Sequence, residues 1–223
     1  AAAETCHPKV IFLTRPNNPD GSMPSAEELE TLLALPALVV VDEAYIEFHS
    51  DGGRLGEKIS LIGEVPRRAN LAVLRTFSKW AGLAGLRVGY GAFPEWLIKA
   101  LWKIKQPYNV NVAGTQAALA SLGDLDYLAK NVSLLREERT RLFDQLSRID
   151  FLSPFPSQTN FILCRVRGIP AGELKNALAK KGVLVRYYTS KGLTDCIRVS
   201  VGRPQDTDRL IEAKRADLAL LKG

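Results

Sequence analysis

Three short apolar runs constrain the first half of the chain, and each is followed directly by polar residues. The runs are VIFLT at residues 10–14, LVVV at 38–41 and LAVL at 71–74, with helix-like stretches between them. Runs that are apolar at successive positions are typical of parallel strands covered by helices on both faces. A shorter run, VGYGA at 88–92, predicts a fourth strand. We therefore expect an α/β fold with a doubly wound, mostly parallel sheet.

The pattern becomes helical after Pro94. Helices are expected over residues 112–122, 125–149, 171–180 and 206–221, and strands over 160–166, 182–186 and 196–201. The helix that follows Pro94 is expected to bury the face formed by Trp96, Leu97, Ala100, Leu101 and Ile104. A helix-rich segment followed by this α+β unit predicts a partial large domain at residues 1–123 and a small C-terminal domain at 124–223.

Composition argues against several functional classes. Thirty Lys and Arg against 24 Asp and Glu give a net charge of +6, but the basic residues are dispersed, so no nucleic-acid partner is expected. The longest apolar stretch, residues 32–41, is too short to span a bilayer, and no membrane association is expected. Cys6, Cys164 and Cys196 are far apart, which favours small core residues in a reducing compartment over disulfides or a metal site.

Polar residues follow the carboxyl ends of the expected strands, which is the edge where open α/β sheets bind ligands. Each of these residues taken alone has an ordinary explanation as a turn residue, a helix cap or a surface charge. Together they form one candidate site that comprises Asn18 after the first strand, Asp42 and Tyr45 after the second, and Thr76, Ser78, Lys79 and Arg87 after the third.

This combination resembles the fold-type I pyridoxal phosphate enzymes of the aspartate aminotransferase superfamily. The motifs PNNPDG (16–21), VDEAYIEF (41–48) and LRTFSKWAGLAGLRVG (74–89) are similar to those of the histidinol-phosphate aminotransferases. The resemblance continues to CIRVSVG at 196–202, and so covers nearly the whole chain. It implies a large cofactor-binding domain and a smaller C-terminal domain.

The resemblance implies the catalytic roles. Lys79 is expected to form the Schiff base with the aldehyde carbon of pyridoxal 5′-phosphate, and later to move a proton at the substrate Cα. Asp42 is expected to pair with the pyridine nitrogen and keep it protonated. Asn18 and Tyr45 are similar to the family residues that hydrogen-bond the phenolic oxygen of the cofactor.

The resemblance also implies the phosphate and substrate contacts. Arg87, Thr76 and Ser78 are expected to bind the cofactor phosphate. For the substrates, Arg198 resembles the family arginine that binds the carboxylate of glutamate, and Arg186 resembles the family arginine that faces the substrate phosphate. Asn160 resembles a family asparagine on the carboxylate side.

The expected reaction converts L-histidinol phosphate and 2-oxoglutarate to imidazole-acetol phosphate and glutamate, a step of histidine biosynthesis. Two chemical alternatives share the fold: a threonine-phosphate decarboxylase, and an aromatic or aspartate aminotransferase. A third alternative, from another class, is a truncated non-catalytic fragment that acts only in folding or dimerisation.

The family's chains begin well before this one. Their additional part supplies further strands, an aromatic ring that stacks on the pyridine and a helix N-terminus that binds the cofactor phosphate. We therefore expect a second chain to supply that part, or weak cofactor binding. The resemblance further implies a homodimer, in the cytoplasm or, for a plant or alga, in a plastid.

Overall fold

The structure is a computed structural model that describes residues 5–217, and the contacts divide the chain into two compact units. Within the described range, the first unit takes residues 5–17 and 23–132, and the second takes residues 18–22 and 133–217. Each unit contains its own four-stranded sheet. The domain limits expected from the sequence, 1–123 and 124–223, stay a prediction.

The first unit is built on a mostly parallel sheet, as the sequence predicts. Its strands are β1 (Val10–Thr14), β2 (Leu38–Asp42), β3 (Leu71–Thr76) and β4 (Gly89–Ala92), in that spatial order. The first three are parallel, and β4 runs antiparallel to β3. In the ladder, Thr14 lies opposite Asp42 and Asp42 lies opposite Leu74, so the carboxyl ends of the three parallel strands meet at one edge.

The core of this sheet explains why β2 and β3 are apolar at successive positions. Val39, Val41, Leu71 and Val73 are fully buried and pack with residues of helix α1 (Ala26–Leu33). The helix starts after Ser25, whose hydroxyl accepts the Glu28 amide at 3.1 Å, while the Glu28 carboxylate accepts the Ser25 amide at 2.8 Å. This reciprocal capping box fixes where the chain enters the helix.

The apolar face expected after Pro94 is not buried, so that prediction is wrong. Helix α2 (Glu95–Ile104) contains no buried residue, and Trp96 and Ile104 are 55% and 77% exposed. The Trp96 indole N–H donates to the Ala69 carbonyl at 2.8 Å, which ties the first turn of the helix to the loop before β3. Helical spacing predicts which side chains share a face, but it cannot supply the surface that would cover them. Helices α3 (Val112–Gly123) and α4 (Leu125–Ser147) follow.

The second unit is an antiparallel sheet with the strand order β5-β6-β8-β7, packed with two helices of its own and with the later part of α4. Its elements are β5 (Leu152–Pro154), β6 (Phe161–Val166), α5 (Ala171–Lys180), β7 (Arg186–Tyr187), β8 (Cys196–Ser200) and α6 (Pro204–Asp217). The strand predicted over 182–186 is reduced to Arg186–Tyr187, since Gly182, with a φ of +75°, turns the chain as α5 ends. The part of the last helix predicted beyond residue 217 lies outside the described residues.

The cysteine prediction holds for two of the three residues. Cys164 and Cys196 are buried in the second unit, and burial raises the pKa of the Cys164 thiol to about 12. Cys6 is exposed, so the expectation that it is a core residue is wrong.

In residues 5–217, no group of His, Cys, Asp and Glu is arranged to hold a metal ion. No helix within the same residues has both the length and the apolar character needed to cross a membrane.

Candidate active site

The carboxyl ends of β2 and β3 bring together most of the predicted cofactor residues of the first unit. Asp42 is the last residue of β2 and Thr76 is the last residue of β3, two positions beyond the partner of Asp42. The Asp42 carboxylate is half-buried, and its Oδ1 accepts the Ala44 amide at 2.9 Å. That bond holds the turn after β2, and the same carboxylate keeps a second oxygen that can bind a ligand.

Lys79 and Tyr45 come together although they follow different strands. The Lys79 ammonium nitrogen lies 5.5 Å from the centroid of the Tyr45 ring. Lys79 is exposed, whereas Tyr45 is only 7% exposed. A buried ring thus presents its negative face to an accessible amine, in the geometry of a cation–π contact. The structure therefore assembles an amine, a phenol and a carboxylate at one sheet edge.

The segment that leads from β3 to Lys79 is a tight hydroxyl turn. The Thr76 hydroxyl accepts the Ser78 amide at 3.0 Å and donates to the Val88 carbonyl at 3.3 Å. A hydroxyl that bonds an amide two residues on fixes a short turn. The side chain of Trp80, next in sequence after Lys79, is buried against Phe77, with ring centroids 5.5 Å apart. Lys79 therefore projects from a well-held backbone.

The backbone of Arg87 lies next to that of another predicted phosphate ligand, because Arg87 immediately precedes Val88, whose carbonyl accepts the Thr76 hydroxyl. Arg87 is exposed, its backbone is left-handed with a φ of +58°, and its guanidinium donates to the Ala84 carbonyl at 2.8 Å. A positive φ is uncommon for a residue other than glycine, and it often marks a functional constraint.

The predicted substrate residues belong to the second unit, and so does Asn18. Arg198, in β8, donates from Nη1 to Asn18 Oδ1 at 2.7 Å, and its guanidinium lies 4.5 Å from the Phe161 ring centroid. Arg186, in β7, is directly opposite Arg198 in the ladder. The Asn160 carbonyl accepts the Val201 amide at 2.8 Å, which ties it to the end of β8.

Sequence reasoning missed a group of buried charges beneath the first part of the site. Glu43 and Glu47 are 0% and 1% exposed, and the side chains of Arg15 and Arg75 are nearly as buried. Burial raises the pKa of Glu47 to about 7, against the attraction of Arg75. One feature of the sequence could have indicated this group. Charged residues stand directly at the ends of apolar strands, and a side chain in that position can be buried with the strand.

Comparisons with known proteins agree with this architecture. A family model described as aminotransferase class I and II matches residues 1–213. The chain is 54% identical over 206 residues to histidinol-phosphate aminotransferase 1, chloroplastic, of Arabidopsis thaliana, covering 92% of this chain and 48% of that protein. The chain spans about half the length of the curated relatives it matches.

Solved structures show the same fold. The histidinol-phosphate aminotransferase from Clostridium acetobutylicum has a TM-score of 0.84 at 28% identity, covering 93% of this chain and 63% of that one. The histidinol-phosphate aminotransferase from Sinorhizobium meliloti, solved in complex with pyridoxal-5′-phosphate, has a TM-score of 0.80 at 29% identity, covering 96% and 60%. The fold-type I architecture expected from the sequence is thereby confirmed.

Proposed function

Because the chain belongs to the class I and II aminotransferases, we propose that it carries the cofactor and substrate residues of a histidinol-phosphate aminotransferase. The reaction moves the amino group of L-histidinol phosphate to 2-oxoglutarate and yields imidazole-acetol phosphate and glutamate. The identity of 54% to the Arabidopsis thaliana enzyme supports this choice of substrate. The observation that carries the proposal is the accessible Lys79 amine above Tyr45, at the strand edge that also bears Asp42.

The residues at this edge fit pyridoxal 5′-phosphate by their chemistry. Lys79 supplies an amine for the aldehyde carbon, and Asp42 supplies a carboxylate for the pyridine nitrogen. Thr76, Ser78 and Arg87 supply hydroxyl and guanidinium donors for the phosphate. When bound, the cofactor supplies an electron sink for the negative charge that develops at the substrate Cα.

The side chains of this site then have separable tasks. Lys79 Nζ would move a proton from the substrate Cα to the cofactor C4′ in the first half-reaction, and in the opposite direction in the second. Tyr45 holds that amine in place and offers its hydroxyl to the phenolic oxygen of the cofactor, a task it shares with Asn18. Asp42 keeps the ring nitrogen charged, since a carboxylate stabilises a proton on a neighbouring base.

The second unit is proposed to bind the anionic ends of the substrates. Arg186 and Arg198 face each other across β7 and β8, and like charges directly opposite in a ladder repel. An anion between them removes that repulsion, and guanidinium groups match both phosphate and carboxylate oxygens. Histidinol phosphate and 2-oxoglutarate each bring such an anion. Asn160 is proposed to donate to the carboxylate side.

We further propose a homodimer, by resemblance to the family, and a location in a plastid or in the cytoplasm. The Arabidopsis thaliana relative is named as chloroplastic, which favours a plastid if this chain comes from a plant or an alga. Sedimentation of the purified protein distinguishes a dimer from a monomer.

The test is glutamate formation by the purified protein from L-histidinol phosphate and 2-oxoglutarate, with pyridoxal 5′-phosphate added. We expect glutamate in amounts equal to the imidazole-acetol phosphate formed, and none from the Lys79→Ala variant. Release of carbon dioxide from threonine phosphate instead would favour the decarboxylase. Retention of full activity in Lys79→Ala would contradict the proposal.

A further inference from the structure

A row of alternating charges crosses the first unit beneath the candidate site. Since Thr14 lies opposite Asp42, and Asp42 opposite Leu74, the next residue along each strand brings Arg15, Glu43 and Arg75 side by side. The Glu43 amide still donates to the Leu74 carbonyl at 2.9 Å, so the ladder continues to this level. We call Arg15, Glu43 and Arg75 the charged row. Because side chains alternate along a strand, the row lies on the sheet face opposite to Asp42.

The centre of the row is fully bonded. Glu43 Oε1 accepts the Leu61 amide at 2.8 Å, and Oε2 accepts the Ser60 hydroxyl at 2.5 Å. Arg15 Nη1 and Arg75 Nη1 lie 3.4 Å and 3.6 Å from the same carboxylate. A buried carboxylate with this many partners has a single defined position.

Glu47 extends the row to the segment that follows β2. Arg75 Nη2 donates to Glu47 Oε1 at 2.6 Å, while Arg75 Nη1 donates to the Ser60 hydroxyl at 3.2 Å. Arg75 immediately precedes Thr76 in β3, and Glu47 stands two residues after Tyr45. The Glu47–Arg75 pair therefore ties the backbone that carries Tyr45 to the backbone that carries Thr76 and Lys79.

Stability alone does not account for these buried charges. Desolvation of an ion pair costs about as much as its attraction returns, and apolar residues of similar volume are often as stabilising. A hydrogen-bonded ion pair does differ from an apolar contact in one respect, which is the fixed direction of its bonds. The charged row therefore contributes more to the fixed positions of the side chains than to the free energy of folding.

We propose that Glu47 and Arg75 are positioning residues that hold Tyr45 against Lys79. The inference rests on the proposed function for its purpose, since an aligned amine matters only if Lys79 binds the cofactor aldehyde. It makes a claim that needs no cofactor: when the pair is broken, the Tyr45 ring and the Lys79 amine no longer keep their contact.

The experiment reads that contact directly. Reductive methylation with ¹³C-formaldehyde labels the lysine amines of the purified chain, and Lys79→Ala identifies the Lys79 resonance. A ring beneath the amine displaces this resonance upfield. We expect Glu47→Gln and Arg75→Lys to lose most of the displacement. The matched control is Glu138→Gln, which removes a buried carboxylate of the second unit bonded to Arg141 and Thr207, and it should keep the displacement in full.

A second measurement, in the same variants, uses the cofactor. Borohydride fixes pyridoxal 5′-phosphate on Lys79, and mass spectrometry measures the labelled fraction. The cofactor concentration that gives half-maximal labelling should be about tenfold higher for Glu47→Gln than for the unchanged chain, equivalent to a tenfold change in affinity. If the unchanged chain fixes no cofactor, the proposed function fails and the resonance experiment still decides this inference. An unchanged Lys79 resonance in both variants would overturn it. So would failure of both variants to fold, because the pair would then be required for stability.

Discussion

The ammonium nitrogen of Lys79 lies 5.5 Å from the centroid of the Tyr45 ring, and the ring is buried while the amine is exposed. Packing therefore fixes the Tyr45 ring, and the attraction between the ring and the ammonium group positions the Lys79 side chain. Such a contact contributes about 0.5–1 kcal/mol at an exposed amine. It is enough to bias where the amine rests before any ligand arrives.

The first prediction separates the ring of Tyr45 from its hydroxyl. Tyr45→Phe keeps the packing and the cation–π contact, and should change the free energy of unfolding by less than about 1 kcal/mol. Tyr45→Ala empties a buried site and should cost about 3–5 kcal/mol. Urea unfolding measures both variants. Equal losses for the two variants would show that the hydroxyl, rather than the buried ring, stabilises this segment.

The second prediction concerns pH and Glu47. Burial raises the pKa of Glu47 from 4.5 to about 7 in the folded protein, so the folded state holds this proton more tightly than the unfolded state. The contribution of Glu47 to stability is therefore complete below pH 4.5 and is lost as the pH rises to 7, by an amount on the order of 3 kcal/mol. Arg75, Glu43 and Tyr90 are among the charged and titratable groups that interact electrostatically with Glu47.

The measurement is the free energy of unfolding between pH 5 and pH 7. Glu47→Gln cannot ionise, so its stability should fall less over this range than that of the unchanged chain. Glu57→Gln is the control. Backbone amides of Leu55 and Arg54 lower the pKa of Glu57 from 4.5, so its contribution changes only below this pH range, and the curve of Glu57→Gln should run parallel to that of the unchanged chain. Parallel curves for Glu47→Gln and the unchanged chain would contradict the elevated pKa.

The third prediction concerns Arg198. Its guanidinium donates a hydrogen bond to Asn18 and stacks on the Phe161 ring. A lysine ammonium cannot reproduce the planar stacking, and it cannot form a bidentate pair with a carboxylate. Arg198→Lys should raise the KM for 2-oxoglutarate about tenfold or more, with a smaller effect on kcat. Arg203→Lys is the control, because Arg203 is an exposed residue paired with Asp206. An unchanged KM would remove Arg198 from the substrate site.

Much of the fold could be predicted because it depends on local rules. The Ser25 cap, the limits of α5 at Ala171–Lys180 and the apolar strands β2 and β3 follow from capping chemistry and periodicity. Strand β5 was not predicted, because three residues ending in Pro154 carry too short a pattern. The exposure of α2 could not be predicted, since the spacing of Trp96 and Ile104 says nothing of what covers them.

The candidate site likewise contains residues that the sequence indicates and residues that it does not. Asp42, Tyr45 and Lys79 stand out as a motif, so the sequence indicates them through resemblance. Glu43 and Arg75 do not stand out, because their importance arises from a register between strands more than 30 positions apart in the chain, and a single sequence carries no measure of register. Their burial, and the raised pKa of Glu47, emerge only when the strands are set side by side.

The most direct test of the account is the attachment site of pyridoxal 5′-phosphate. The purified chain is incubated with the cofactor, reduced with borohydride, digested and analysed by mass spectrometry, beside Lys79→Ala and Lys105→Ala. We expect the pyridoxyl group on Lys79 in the unchanged chain and in Lys105→Ala, and its loss from Lys79→Ala. A pyridoxyl group distributed over surface lysines, or one that persists at the same level in Lys79→Ala, would contradict the central claim.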